Sequence, residues 1–226
     1  MSPELPPQDF SGLRVGPLRI GVDFDNTIIC YDQAFAAQAQ ARQLLPPGLA
    51  PTKLAIRDHL RAVGREDEWT RLQGEVYGPG ILAAEPFAGV AEFFAACAKA
   101  GVFVRVISHK TARPYLGEPH DLHAWARSWL AARGFFDGSG LTLEQVEFWP
   151  TKAEKAGRIR ELGLTHFIDD LPEFLAELDW PGLTRILFDP NCAHGVDARV
   201  VAGRFACAAS WPEVAGRLLG AEAESK

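Results

Sequence analysis

The chain lacks any apolar run long enough to cross a bilayer, and no basic stretch leads into an apolar one near its N-terminus. It therefore reads as a cytoplasmic protein with no membrane partner. Positive charge is also in short supply: 23 basic residues stand against 29 acidic ones, a formal net charge of −6. Binding to nucleic acid needs a basic stripe to neutralise phosphates, and without one nucleic acid is not an expected partner. Cysteine is scarce. Cys30, Cys97, Cys192 and Cys207 are far apart and form no C-x-x-C pair, so they read as reduced thiols, Cys30 as a packed small hydrophobe. Low-complexity tracts and internal repeats are missing too. Disorder is expected only at the ends, residues 1–13 and 221–226.

What is present is a chain of 226 residues, 47% hydrophobic, long enough for one main core and a modest insertion. A strand is expected over Leu18–Val22. Helical spacing then runs over Asp32–Leu45, stopped by Pro46-Pro47-Gly48, and again over Thr52–Val63 and Arg65–Tyr77. Gly78-Pro79-Gly80 breaks the pattern and could hinge an inserted helical unit. From Pro86 onward strands and helices alternate. Helix Val90–Ala100, strand Val102–Ile107, helix Leu122–Arg133, strand Val146–Phe148, helix Thr151–Leu162 and strand Thr165–Ile168 come first. Helix Leu171–Leu178, strand Thr184–Phe188, a short strand at Phe205–Cys207 and helix Pro212–Leu219 follow. Such alternation implies an α/β fold, a Rossmann-like parallel sheet sandwiched by helices with right-handed crossovers. The core would comprise residues 14–31 and 85–220, and the helical insertion residues 32–84.

Asp23-Phe24-Asp25-Asn26-Thr27 follows the first strand directly, so two carboxylates one residue apart emerge where a buried strand ends. Held that close they would repel, unless a cation sits between them. Mg2+ with a phosphorylated substrate answers this economically, because Mg2+ engages one or two carboxylates together with phosphate oxygens. Ser108 and the pair Asp169-Asp170 also fall at strand ends, where ligands bind in parallel sheets, and Lys152 opens a helix.

This order of signals resembles the haloacid dehalogenase superfamily: D-x-D-x-T, a strand-end Ser or Thr, a Lys, and an acidic pair closing an apolar strand. The resemblance covers most of residues 18–31 and 85–188, while residues 32–84 match only as a helical insertion of suitable size. It implies that Asp23 is a nucleophile forming an aspartyl phosphate, and that Asp25 is the acid/base, with its main-chain carbonyl facing Mg2+. Thr27 and Ser108 would hydrogen-bond the nucleophile and the phosphoryl oxygens, and Lys152 would neutralise shared charge. Lys155, in the same helical turn, is the alternative, with Lys152 favoured. Asp170 would be the main acidic metal ligand, with Asp169 at or just outside the ion. His109, next to Ser108, would border the phosphate site at the head of a pocket-lining segment that runs to Tyr115. The retained Asp25 points to phosphate esters, since the dehalogenase branch keeps no acid/base Asp there. Asn26 stands where many relatives have Gly, a position at which Asn tolerates left-handed backbone angles.

The activity so implied is Mg2+-dependent hydrolysis of a small phosphate monoester, with helices 32–84 acting as a cap. A phosphotransferase or nucleotide-specific phosphatase, or a non-catalytic binding protein of the same fold, are the alternatives. Substrate identity and oligomeric state are not specified. Several residues have plainer readings: Ser108 and Asp169 as element caps, Trp125 and Trp129 as core anchors one helical turn apart. His120 with His123, and Cys192 with His194, lack a third ligand and are not read as zinc sites.

Overall fold

The computed structural model describes residues 17–190 and 205–220. The expected disordered ends, Cys192 and His194 lie outside the described residues. Six parallel strands form the main sheet: β1 (Arg19–Val22), β4 (Phe103–His109), β5 (Val146–Trp149), β6 (His166–Asp169), β7 (Thr184–Phe188) and β8 (Ala206–Ala208). Their spatial order is β5-β4-β1-β6-β7-β8. The chain moves outward from β1 in one direction, then returns to the other side of β1 at β6. In open parallel sheets ligands bind at such a reversal, beyond the carboxyl ends of the strands. Asp23 follows β1 and Asp169 ends β6, and the two strands are in register from Ile20↔His166 to Val22↔Ile168. Gly21 makes that closeness possible, because a Cβ there would lie 2.5 Å from the side chains of Leu164 and Phe167.

The helices covering the sheet are α4 (Val90–Lys99), α5 (Leu122–Ala132), α6 (Lys152–Glu161), α7 (Pro172–Glu177) and α8 (Trp211–Leu219). Side-chain caps fix three of their starts: Asp121 accepts from the Ala124 amide at 2.9 Å, Thr151 from Glu154 at 3.1 Å and Ser210 from Glu213 at 3.3 Å. Trp129 is fully buried and donates from Nε1 to the Ala84 carbonyl at 2.8 Å, while Trp125 packs half-buried against the same core. Both tryptophans are core anchors. No helix among the described residues is long and apolar enough to cross a membrane.

Between β1 and β4 the chain builds α1 (Asp32–Ala41), α2 (Lys53–Ala62) and α3 (Glu66–Tyr77), followed by a 3-10 turn over Pro79–Ala83. Helix α1 ends sooner than its apolar spacing suggests. Gln43 adopts φ 54° and the Leu44 amide turns back to the Ala39 carbonyl at 2.9 Å, so the stop precedes Pro46. Strand β4 runs two residues further than expected and takes Ser108 and His109 into the sheet. A short antiparallel pair joins β2 (Ile29–Cys30) to β3 (Glu85–Pro86), zipping together the entry to and exit from the inserted helices. The sequence pattern gave no sign of it, since two-residue strands carry no periodicity.

Tyr31, Phe35, Trp69 and Tyr77 form an aromatic cluster under the inserted helices, with Phe35 stacked on Trp69 at 5.0 Å and Tyr31 edge-on to Tyr77 at 5.0 Å. This cluster is continuous with the core beneath β1. Helix α3 also approaches the loop after β4 closely. A Cβ on Gly74 would meet the Leu116 carbonyl and Pro114 at 2.9 Å, so a larger residue there would push the insertion off the core.

Candidate active site

A cavity of about 310 Å³ opens above the β1 and β6 strand ends, lined by core residues and by the inner face of the inserted helices. Asp23 sits at its floor, 5% exposed, its amide held to the Ile168 carbonyl at 2.9 Å. The chain then turns tightly: the Ile28 and Ile29 amides both donate to the Phe24 carbonyl, and Asn26 takes a left-handed φ of 57°. That turn brings Asp25 to the cavity too, and suits Asn26, which tolerates left-handed backbone angles.

One lysine lies between the carboxylates of the floor. Lys155 Nζ donates to Asp23 Oδ1 at 2.6 Å and to Asp169 Oδ2 at 2.6 Å, with its side chain 3% exposed. Lys152, the favoured lysine from sequence, does not fill this place. Its side chain is 37% exposed at the cavity edge, and its nearest carboxylate is Glu173 at 3.7 Å. Both lysines share the stripe of α6 that also carries buried Ile159, so helical phase does not separate them. Depth does: Lys155 lies one turn further in, level with the ends of β1 and β6.

Asp169, Asp170 and Asp23 each present an oxygen within 4.8 Å of one another, a grouping able to hold a metal ion. Asp169 is fully buried, and both its oxygens are taken, Oδ2 by Lys155 and Oδ1 by the Leu171 amide at 2.9 Å. Asp170 lines the cavity, and among the described residues its carboxylate meets only a long hydrogen bond from Asn26 Nδ2 at 3.4 Å. It is therefore the carboxylate of the pair better placed to meet an ion. Burial first, then repulsion from Asp169 and Asp25, pushes the Asp23 carboxyl up to about 7 despite the opposing pull of Lys155. Burial and the charges of Asp169 and Asp23 likewise raise Asp170 well above the usual carboxylate range. Too many negative charges are gathered here for one lysine, which is the imbalance a divalent cation relieves.

Asp25 has a different setting. Lys110 Nζ grips it through both oxygens, at 2.9 and 3.0 Å, and the Tyr31 hydroxyl donates to Oδ1 at 2.7 Å. Burial would raise its pKa, but Lys110, Tyr31 and the more distant Lys53 together hold it below the ordinary value. The Asp25 carboxylate is thus directed away from the acidic trio, so any part it takes in holding a metal falls to its main-chain carbonyl. His123 fixes Lys110 in turn, its Nε2 lying 2.8 Å from the Lys110 carbonyl, which accounts for this histidine without zinc.

Ser108 lines the cavity with its Oγ buried and, among the described residues, without a hydrogen-bond partner; the buried Thr27 Oγ1 likewise has none among them. Buried hydroxyls normally find partners, so Ser108, which faces the cavity, is open to a ligand or to water, whereas Thr27 is fully buried and does not line it. His109 also lines the cavity, and its Nε2 lies 3.0 Å from the Pro150 carbonyl. Burial lowers its pKa, so a neutral ring is favoured there. The structure thus brings Asp23, Asp25, Ser108, His109, Asp169 and Asp170 to one place, and adds Lys53 and Lys110, which carry no motif.

Among solved structures, a HAD family hydrolase from Deinococcus radiodurans R1, determined with bound phosphate and sodium, superposes with a TM-score of 0.61 at 17% identity, covering 92% of this chain and 96% of that one. The chain has the haloacid dehalogenase fold. A structure described as a dehalogenase (TM-score 0.53, 13% identity, 90% of this chain and 97% of that one) shares it. So does a HAD hydrolase of family IA, variant 3, from Entamoeba histolytica (TM-score 0.51, 13% identity, 92% and 100%). No protein-family model matches the sequence, and comparison with curated proteins finds no significant match. At these identities the haloacid dehalogenase likeness establishes architecture, and chemistry has to be argued from the side chains.

Proposed function

We propose that the protein is a Mg2+-dependent phosphatase that hydrolyses a small phosphate monoester through an aspartyl phosphate on Asp23. The observation that carries this reading is the pairing of Asp23 with the buried Lys155 beside the Asp169–Asp170 pair, at the floor of a cavity into which Ser108 offers an unpartnered hydroxyl. Asp23 and Asp170, with the Asp25 main-chain carbonyl, would hold Mg2+, which supplies positive charge opposite the transferring phosphoryl group.

The chain's own residues divide the work. Lys155 favours the ionised form of Asp23 and aims it, and Ser108 can donate to a phosphoryl oxygen. Asp23 attacks phosphorus and the ester oxygen leaves. Asp25 gives that oxygen a proton, then takes one from the water that cleaves the aspartyl phosphate. In the resting site Lys110 holds Asp25 ionised, which suits the base step. For the acid step the ion pair must loosen, and an arriving phosphate competes for the same ammonium. Helices α1 to α3 act as a cap, hinged near Gly78–Gly80, because Lys53, Thr70, Gln73 and Tyr77 close the cavity over the core residues.

A panel of phosphate monoesters assayed with Mg2+ and with excess chelator tests the reading. Turnover that stops on chelation and returns with Mg2+ is expected. Absence of turnover on every ester, or full turnover in metal-free protein, would overturn it.

A further inference from the structure

Each other lysine that lines the cavity has a carboxylate within ion-pair distance: Lys155 has Asp23 and Asp169, Lys110 has Asp25, and Lys152 has Glu173. Lys53 is the exception. Among the described residues no carboxylate lies within 4.0 Å of its ammonium group, although the residue is half-buried and faces the cavity. Asp32, whose carboxylate touches the Lys53 main chain, does not pair with the ammonium: its Oδ1 accepts from the Lys53 main-chain amide at 2.8 Å. That contact ties the first turn of α2 to the first turn of α1 and fixes where the Lys53 stem begins.

The ammonium group rests against aromatic faces, 5.6 Å from the ring centres of Tyr31 and Tyr77 and 5.9 Å from Phe35. Lys110 reaches the same rings from the core side, 4.5 Å from Tyr77 and 5.9 Å from Tyr31. Ring faces attract a cation but supply no counter-charge and leave its outer side open. Burial acts to lower the Lys53 pKa, yet Tyr77, Asp170 and Asp25 outweigh it and hold the group above its ordinary value, so it stays charged. Thr70 and Gln73 of α3 line the same wall and can hydrogen-bond whatever the ammonium holds.

On the phosphatase reading, Lys155 and the acidic trio handle the transferring phosphate at the floor. The opposite wall is then left for the group that departs. We propose that Lys53 recognises a second anionic group on the substrate, a carboxylate or a second phosphate carried by the leaving portion. This inference rests on the phosphatase reading and narrows it: the substrate is a small phosphate ester bearing another negative charge, held between a core site for phosphorus and a cap cation for the remainder. A cavity of about 310 Å³ suits a molecule of a few carbons.

The test compares matched substrate pairs with the Mg2+-loaded full chain. The first pair is 2-phosphoglycerate against glycerol 2-phosphate, which differ by a carboxylate in place of a hydroxymethyl. The second is propanediol bisphosphate against propyl phosphate. For at least one pair, kcat/KM for the anion-bearing member should exceed that of its partner by about tenfold or more, the scale of one charge-assisted contact. The favoured pair tells carboxylate from phosphate. Lys53→Met should bring that ratio close to unity, mainly through KM of the anion-bearing member, and Lys53→Arg should restore most of it. Wild-type protein that hydrolyses both members of each pair equally would overturn the second-anion site while leaving the phosphatase reading intact. A preference that survives Lys53→Met would overturn the role of Lys53. Failure to hydrolyse any ester would overturn both readings together.

Discussion

Asp23 and Asp25 stand two residues apart and line one cavity, yet the surroundings drive them in opposite directions. Asp23 lies among carboxylates on the core side, with burial and its neighbours lifting it to about 7. Asp25 turns toward the aromatic cluster beneath the inserted helices, where Lys110 and Tyr31 hold it below its ordinary range. The contrast separates two jobs. A carboxylate crowded by others needs an added cation and can bond to phosphorus once it has one. A carboxylate locked to its own cation is a proton carrier whose affinity is set by that lock.

Removing the lysine on each side should break the contrast most sharply. Lys155→Met leaves Asp23 and Asp169 buried without their cation, so turnover should fall by about 10²–10³-fold, and stability to urea by about 3–5 kcal/mol. Lys152→Met, at the exposed edge, should change stability by less than about 0.5 kcal/mol. If the two variants exchanged these effects, the lysine of the site would be Lys152 after all.

Lys110→Met acts on the other side, because loss of its charge lets the Asp25 pKa rise. Asp25 must be ionised to take a proton from water, so where cleavage of the aspartyl phosphate limits turnover the acidic limb of the kcat profile should move to higher pH by roughly one unit or more. A limb that stays in place would mean that Lys110 does not govern Asp25.

The smallest expected effect concerns metal and protons. In metal-free protein the raised pKa of Asp23, about 7, means the folded state binds the proton more tightly than the unfolded chain does. That contribution to stability is present in full below the ordinary carboxylate value and is lost as pH rises through about 7. Mg2+ must displace the same protons, so it should raise Tm by roughly a few degrees at pH 8 and by much less at pH 5. Equal shifts at both pH values would separate the acidic cluster from the metal.

The sequence made the floor of the site legible and left its upper wall almost unreadable. Asp23, Ser108 and Asp169-Asp170 could be placed because strand ends are marked by apolar runs, and a parallel sheet gathers those ends on one edge. The parallel alternation, the core helices and the three inserted helices could be anticipated from the same patterning, whereas the order of the strands in the sheet could not. Choosing Lys155 over Lys152 needed the depth of α6 against β1 and β6, which spacing along one helix does not contain. Lys110 sat inside the segment expected to border the pocket, but its grip on Asp25 depends on the turn at Asn26 and on His123 from α5. Lys53 reads on paper as an ordinary helix-opening residue, and only the packing of α2 over Tyr31 and Tyr77 brings it to the cavity.

On the proposed reading Asp23 bonds to phosphorus while Asp25 moves protons, and Asp25→Asn separates the two. That variant keeps the nucleophile and nearly the same shape, so with a leaving group that needs little protonation the first step should survive while cleavage of the aspartyl phosphate slows. Rapid-quench mass spectrometry of the variant should find a phosphoryl group on the peptide containing Asp23. Continued turnover with no phosphate ever captured on that peptide would contradict the account and point to direct attack by water on the substrate.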